Sequence, residues 1–235
     1  MFLKCCTISG IDEATPIEPL LALAAEFPFV EYGILISPNR TFCVTPQHRY
    51  PNAEWISKLP KNLPLSLHLC GHYARTLLWS GDTVELEDKF NINQFGRVQI
   101  NAAPHWVAAN KTALARALSR LPQTIFQIGD GNSAAGLSAL FAARDCCCTE
   151  PQPLFDASGG RGQSPLRWPW PATQVCGYAG GLGPYNLSAE LTKIEAVAGN
   201  ATVWIDMESN VRTNDVLDLG KVRLVLEIIK HRYKL

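Results

Sequence analysis

The sequence predicts a (β/α)8 barrel, and three observations carry that prediction. Eight short apolar runs recur along the 235 residues. Their starts lie roughly 20 to 35 residues apart, the size of one βα unit. The stretches between them carry helical periodicity and start signals.

The runs are FLKCCTIS (2–9), VEYGILIS (30–37), PLSLHL (64–69), RVQINA (97–102), TIFQIG (124–129), PLFDAS (153–158), QVCGYAG (174–180) and TVWIDM (202–207). Each suits a strand and is too short for a helix. After the first run, Ile17, Leu20, Leu21 and Ala24 repeat at helical spacing, and Thr15-Pro16 supplies a capping residue followed by proline at the first helical position. After the seventh, Leu187, Leu191, Ile194 and Ala198 share one helical face; after the eighth, Val222, Val225, Leu226 and Ile229 do the same. The SPLRWPWPAT stretch before run seven is too rich in proline for a full helix, so that crossover is expected to be irregular.

Strand and helix alternating in this way imply parallel pairing with right-handed crossovers. Eight such units in a chain of this length close into a barrel. No linker divides the chain, so one domain over residues 1–235 is expected. An open doubly wound sheet is the competing arrangement, but no G-x-G-x-x-G or P-loop follows the first run.

Composition narrows the partners. A 47% hydrophobic share excludes a disordered chain. The 21 basic and 21 acidic residues cancel, leaving no overall field for nucleic acid or an anionic membrane. No run approaches the roughly 20 apolar residues that span a bilayer. The MFLKCC start has no secretory h-region. The 8 cysteines stand as a pair, a triplet and three singles, without zinc spacing. Reduced thiols, a cytoplasmic location, no metal and a monomer or homodimer are expected.

Strand alternation sorts the side chains. Outward residues meet helices and are apolar; inward residues near strand C-termini face the mouth where barrel active sites lie. By this rule Ser66, His68 and Cys70 point inward from strand three, Gln99 and Asn101 from strand four, Gln127 from five, Asp156 from six, and Trp204 and Asp206 from eight. In strand one Leu3 and Cys5 are the blander set, so Lys4 and Cys6 are expected inside. A buried Lys4 requires a carboxylate partner, with Asp206 or Glu31 available.

Several segments together resemble the phosphoribosylanthranilate isomerase family, the (β/α)8 enzymes of tryptophan biosynthesis. They are Lys4-Cys5-Cys6-Thr7, His48-Arg49-Tyr50-Pro51 and Val98-Gln99-Ile100-Asn101-Ala102, then Leu154-Phe155-Asp156 with Gly159-Gly160-Arg161-Gly162. Gly180-Gly181-Leu182-Gly183-Pro184-Tyr185-Asn186 and Asp206-Met207-Glu208-Ser209-Asn210-Val211 complete the set. The resemblance implies Cys6 as general base, Asp156 as general acid and Arg49 as the clamp for a substrate carboxylate. It also implies a phosphate site at Gly180, Gly181, Ser209 and Asn210. Gln99, Asn101, Gly159, Gly160 and Arg161 would line the substrate, and His68, which has no counterpart in the family, is expected beside them from its inward place on strand three. Three positions depart from the pattern: Thr7 and Asn210 stand where the family has glycine, and Glu208 places a negative charge beside the phosphate loop.

The implied reaction is an Amadori rearrangement of an aminoribose phosphate. An acid protonates the ring oxygen, a base removes the C2′ proton, and no cofactor is required. As base, Cys6 must be a thiolate, aided by a cation such as Lys4 or Arg49. Two other readings share the fold: a barrel enzyme for another phosphorylated sugar or small phosphate ester, and a ligand-binding barrel without catalysis.

Overall fold

The computed structural model describes residues 1–42, 48–101, 111–129, 141, 144–145, 150–156 and 162–235. Its strands are β1 (Phe2–Ser9), β2 (Val30–Ile36), β3 (Leu65–Cys70), β4 (Arg97–Asn101), β5 (Gln123–Ile128), β6 (Gln152–Asp156), β7 (Val175–Ala179) and β8 (Thr202–Met207). Each pairs in parallel with the next, and β8 returns to β1, closing the barrel. The eight runs read from the sequence are these eight strands, within two residues at every end.

Between β1 and β2 lies α1 (Ile17–Glu26); α2 (Pro38–Thr41) and α3 (Ala53–Ser57) precede β3. Next come α4 (His72–Ser80) and α5 (Val84–Lys89), then α6 (Lys111–Leu118) before β5. The long helices α7 (Leu187–Ala198) and α8 (Leu219–Tyr233) flank β8. The expected α7 and α8 stripes are buried in full. Each such aliphatic side chain contributes roughly 1.5–3 kcal/mol by leaving water. The start of α1 differs from expectation by one residue. Pro16 occupies the capping position, and the Thr15 hydroxyl turns instead to the Asp12 backbone N–H. Residues 162–174 contain no helix, as their prolines dictate. Trp168 covers this gap: its ring edge packs on Tyr178 and its Nε1 donates to Glu190 at 2.8 Å.

Strand one corrects the sequence reading. Leu3 pairs with Val203, but Trp204 pairs with Cys5, so Lys4 is an extra residue at a bulge. One added residue reverses the phase of everything that follows. Cys5, Thr7 and Ser9 therefore face the barrel interior. Cys6 and Ile8 face outward, in the cluster that holds Leu20 of α1 and Tyr32 of β2. Lys4 is exposed. In the other strands the expected alternation holds, with Ile125, Leu154, Ala179 and Trp204 forming an interior cluster against Cys5.

The interior floor carries one ion pair. Arg97 Nε donates to Glu31 Oε1 at 2.9 Å, and Arg97 Nη2 reaches Thr7 Oγ1 at 3.0 Å and Cys5 Sγ at 3.3 Å. Burial alone would raise the Glu31 carboxyl, but the Arg97 guanidinium outweighs it and holds Glu31 below its ordinary value.

Candidate active site

At the strand C-termini lies an inner cavity of about 80 Å³. His68, Gln99, Asn101, Asp156, Gly180, Gly181, Ser209 and Asn210, each singled out from the sequence, line it together. Ser9, Gln127, Asp206 and Glu208 join them. An outer cavity of about 540 Å³ adjoins it, bounded by Leu35, Arg40, Arg49, Tyr50 and Cys70, and shares Asn101, Gln127 and Glu208 with the inner one. Gly159, Gly160 and Arg161 lie outside the described residues.

Two carboxyls dominate the floor of the inner cavity. Asp156 pairs in register with Ala179, and Ala179 with Asp206. The two aspartates thus sit level on alternate strands, their Cα atoms roughly 9–10 Å apart at two strand spacings. The small Ala179 leaves the space between them open. Asp156 Oδ2 accepts from Gln127 Nε2 at 2.7 Å, and Asp206 Oδ1 accepts from Ser9 Oγ at 2.7 Å. Burial pushes the Asp206 carboxyl up from 3.8 to about 7, with Glu208 and Asp156 adding repulsion against the Ser9 hydrogen bond.

His68 is buried beside this pair, its Nε2 3.1 Å from Ser66 Oγ. Burial lowers its pKa to about 4, so the ring is uncharged at neutral pH. The ring fits because residue 33 is glycine: a Cβ there would stand 2.6 Å from Ser9 Oγ and 2.9 Å from the imidazole.

Cys6 is not at this site. Its side chain is fully buried on the helix side of β1. Burial pushes its thiol well above the ordinary value, with Cys5, Asp206 and Glu31 opposing a second negative charge. A thiolate base at position 6 has neither the direction nor the charge state that the chemistry needs. Exposed Lys4 supplies no cation to the interior either.

Arg49 reaches the mouth already engaged. Its Nη1 donates to Glu208 Oε1 at 2.7 Å, and its Nε to Asp215 Oδ1 at 2.8 Å. Its backbone N–H donates to Asp12 Oδ2 at 2.8 Å, holding Arg49 at a φ of 71°. Arg212 locks the same rim, donating to Asp12 Oδ2 and to the Gly10 carbonyl. Asp215 sits in the two-residue turn between β9 (Arg212–Thr213) and β10 (Val216–Leu217). Both turn residues have positive φ, 50° at Asn214 and 60° at Asp215, the geometry of a type I′ hairpin.

The glycine turn after β7 is packed by its own neighbours. The Gly181 carbonyl accepts from Asn186 Nδ2 at 2.8 Å and from Asn210 Nδ2 at 2.7 Å. The Gly183 N–H donates to Asn186 Oδ1 at 2.9 Å. The chain at Gln163–Ser164 lies directly on the turn, where a Cβ on Gly181 would stand 2.4 Å from the Ser164 nitrogen.

Sequence reading placed Gln127 and Asp206 inward and offered Asp206 as a partner for Lys4, but gave neither a part in the chemistry, and it did not single out Ser9. Asp206 was legible as an inward residue at a strand end, whereas Ser9 was hidden by the bulge at Lys4.

No family model and no curated protein matches the chain. Among solved structures, the N-(5'-phosphoribosyl)anthranilate isomerase from Pyrococcus furiosus is similar, with a TM-score of 0.55 and 14% identity over 98% of this chain and 99% of that one. The likeness shows that the two chains share the closed (β/α)8 barrel from end to end.

Proposed function

We propose that this barrel is an isomerase of the aldose–ketose type, in which the Asp156–Asp206 pair moves the protons. The observation that supports this most is Asp206: a buried carboxyl with a pKa of about 7, level with a second carboxyl across an open gap. A group titrating near the working pH both gives and takes a proton efficiently.

Protonated Asp206 donates to the ring oxygen of a cyclic sugar or aminosugar and opens it. Asp156, its carboxylate oriented by Gln127, accepts the proton from C2. Asp156 returns its proton to C1 of the enol or enolamine while Asp206 takes the proton of the C2 hydroxyl, which gives the ketose and restores both aspartates to their starting states. Ser9 fixes the Asp206 carboxyl, and neutral His68 offers one ring nitrogen to a substrate hydroxyl. Each proton-transfer group is worth roughly 10²–10⁴ in rate. The resemblance gives the acid to Asp156 and the base to Cys6; with Cys6 outside the barrel, both duties pass to the two carboxyls.

The test is solvent deuterium exchange at C1 and C2 of aldose–ketose pairs, followed by NMR. Wild-type protein should incorporate deuterium, and Asp156→Asn and Asp206→Asn should each lose it. Retained exchange in both variants ends the proposal. Rescue of a tryptophan auxotroph lacking phosphoribosylanthranilate isomerase asks whether the substrate is the one the resemblance implies.

A further inference from the structure

We propose that His68 presents a fixed N–H to the inner cavity, where it binds the ligand oxygen that takes on negative charge, and that Ser66 is the positioning residue that keeps the proton on that side of the ring. The proposal rests on the isomerase reading for the identity of that oxygen; the state of the ring follows from its neighbours.

Ser66 decides where the proton sits. Its side chain is fully buried, and among the described residues its Oγ has one hydrogen-bond partner, His68 Nε2 at 3.1 Å. A hydroxyl sealed in this way needs an acceptor for its proton. Nε2 serves as that acceptor only when it carries no proton of its own. The ring is neutral, so its one proton stands on Nδ1. Turning the ring over would set Cε1 against the hydroxyl and leave it without an acceptor. The neighbouring carboxylate does not reverse this, because Glu31 is engaged by Arg97 and Thr7.

The second nitrogen faces the ligand. Trp204 Nε1, lower in the barrel, is sealed without a partner; His68 Nδ1 has no partner among the described residues and is not sealed. His68 lines the inner cavity together with Ser9, Asp156 and Asp206. The Cε1–Nε2 edge of the ring lies on Gly33, where a Cβ would stand 2.9 Å from both atoms. The Nδ1–H is therefore aimed before a ligand arrives.

A neutral donor suits one step of the reaction. As the C2 hydroxyl gives its proton to Asp206, its oxygen gains charge on the way to the ketone. A hydrogen bond from Nδ1–H strengthens as that charge grows, and the proton stays on the ring throughout. A ring with its proton on Nε2 would meet the same oxygen with a lone pair.

Two-bond proton–nitrogen NMR of protein labelled with nitrogen-15 histidine reads the ring directly. At pH 7 His68 should show a protonated Nδ1 and an unprotonated Nε2, the reverse of what free histidine favours. His68→Asn identifies its signals among those of the 5 histidines. Ser66→Ala should let the proton divide between the two nitrogens. The ligand probe is D-erythronohydroxamate, a planar mimic of the enediolate of a five-carbon sugar. Its binding should move the Nδ1 resonance of the wild type. Ser66→Ala should bind it several-fold more weakly, because only rings with the proton on Nδ1 are competent. Circular dichroism checks that Ser66→Ala folds; if it does not, the wild-type spectra decide alone.

A proton on Nε2 in the wild type, or a charged ring at pH 7, overturns the proposal. So does a hydroxamate that fails to bind or leaves the His68 signals unmoved. None of these measurements needs turnover. A protonated Nδ1 that responds to the hydroxamate, in a protein with no deuterium exchange, upholds the donor and sinks only the isomerase reading. Deuterium exchange in a protein whose His68 proton lies on Nε2 does the reverse.

Discussion

The barrel interior has two storeys that solve the same problem in opposite ways. On the floor, the buried charges of Arg97 and Glu31 face each other and are further held by Thr7. At the mouth, Asp156, Asp206 and Glu208 share one cavity, and Arg49 is divided between Glu208 and Asp215. Below, a buried charge finds its counter-charge and the pair holds the strands in register. Above, burial favours the neutral form of Asp206 and Glu208 and Asp156 add repulsion, so it titrates near 7. The contrast separates a polar interior that supports the fold from the one to which the proposed chemistry is assigned.

The largest effect should come from the mouth. Asp156→Asn should cut isomerase turnover by about 10²–10⁴-fold while the protein keeps its melting temperature; a variant that is inactive because it is unfolded would erase the distinction between storeys.

The floor should answer with stability instead. Arg97→Met leaves Glu31 buried without its partner, at a cost of about 3–5 kcal/mol in urea unfolding. Adding Glu31→Met should recover most of that loss. A double variant no better than the single one shows that the pair supplies net stability and not merely mutual neutralisation.

The third prediction concerns pH. Asp206 has a folded pKa of about 7, above its ordinary 3.8, so folding takes up a proton between those values and stability falls as pH rises. His68 has a folded pKa of about 4, below its ordinary 6.5, so folding releases a proton and stability rises with pH across that window. The two slopes, each up to about 1.4 kcal/mol per pH unit, oppose each other in the wild type. Urea titrations from pH 4 to 8 should separate them: His68→Asn should lose stability as pH rises towards 7, and Asp206→Asn should gain it up to about pH 6.5. Parallel profiles for the two variants would mean that neither group is buried as described.

The smallest effect tests the corrected strand. Cys6→Ala should leave turnover unchanged and cost about 1 kcal/mol or so in stability, as a small trimming of a packed layer does. Loss of activity in a stable Cys6→Ala protein would return the thiol to the mechanism.

Most of the fold was legible because it depends on local pattern. Val222, Val225, Leu226 and Ile229 repeat at helical spacing, and the structure buries all four. In β4 the same kind of pattern placed Gln99 and Asn101 in the cavity. What escaped depended on partners remote in the chain. The bulge at Lys4 leaves no mark in FLKCCTIS, since it arises where β1 meets β8. Asp215, which holds Arg49, follows it by 166 positions. The titration of Asp206 follows first from its burial and then from repulsion by Glu208 and Asp156 against the Ser9 hydrogen bond, a convergence that periodicity does not describe.

The bulge also gives the barrel a slip joint. Residues before Lys4 take their phase from Val203, and residues after it take theirs from Trp204. The two parts of the strand are therefore indexed separately. Deleting Lys4 would restore a regular ladder and still leave Cys5, Thr7 and Ser9 facing inward. The pairing of Thr7 with Asp206, and with it the Ser9–Asp206 hydrogen bond, is thereby indexed independently of the residues before the bulge.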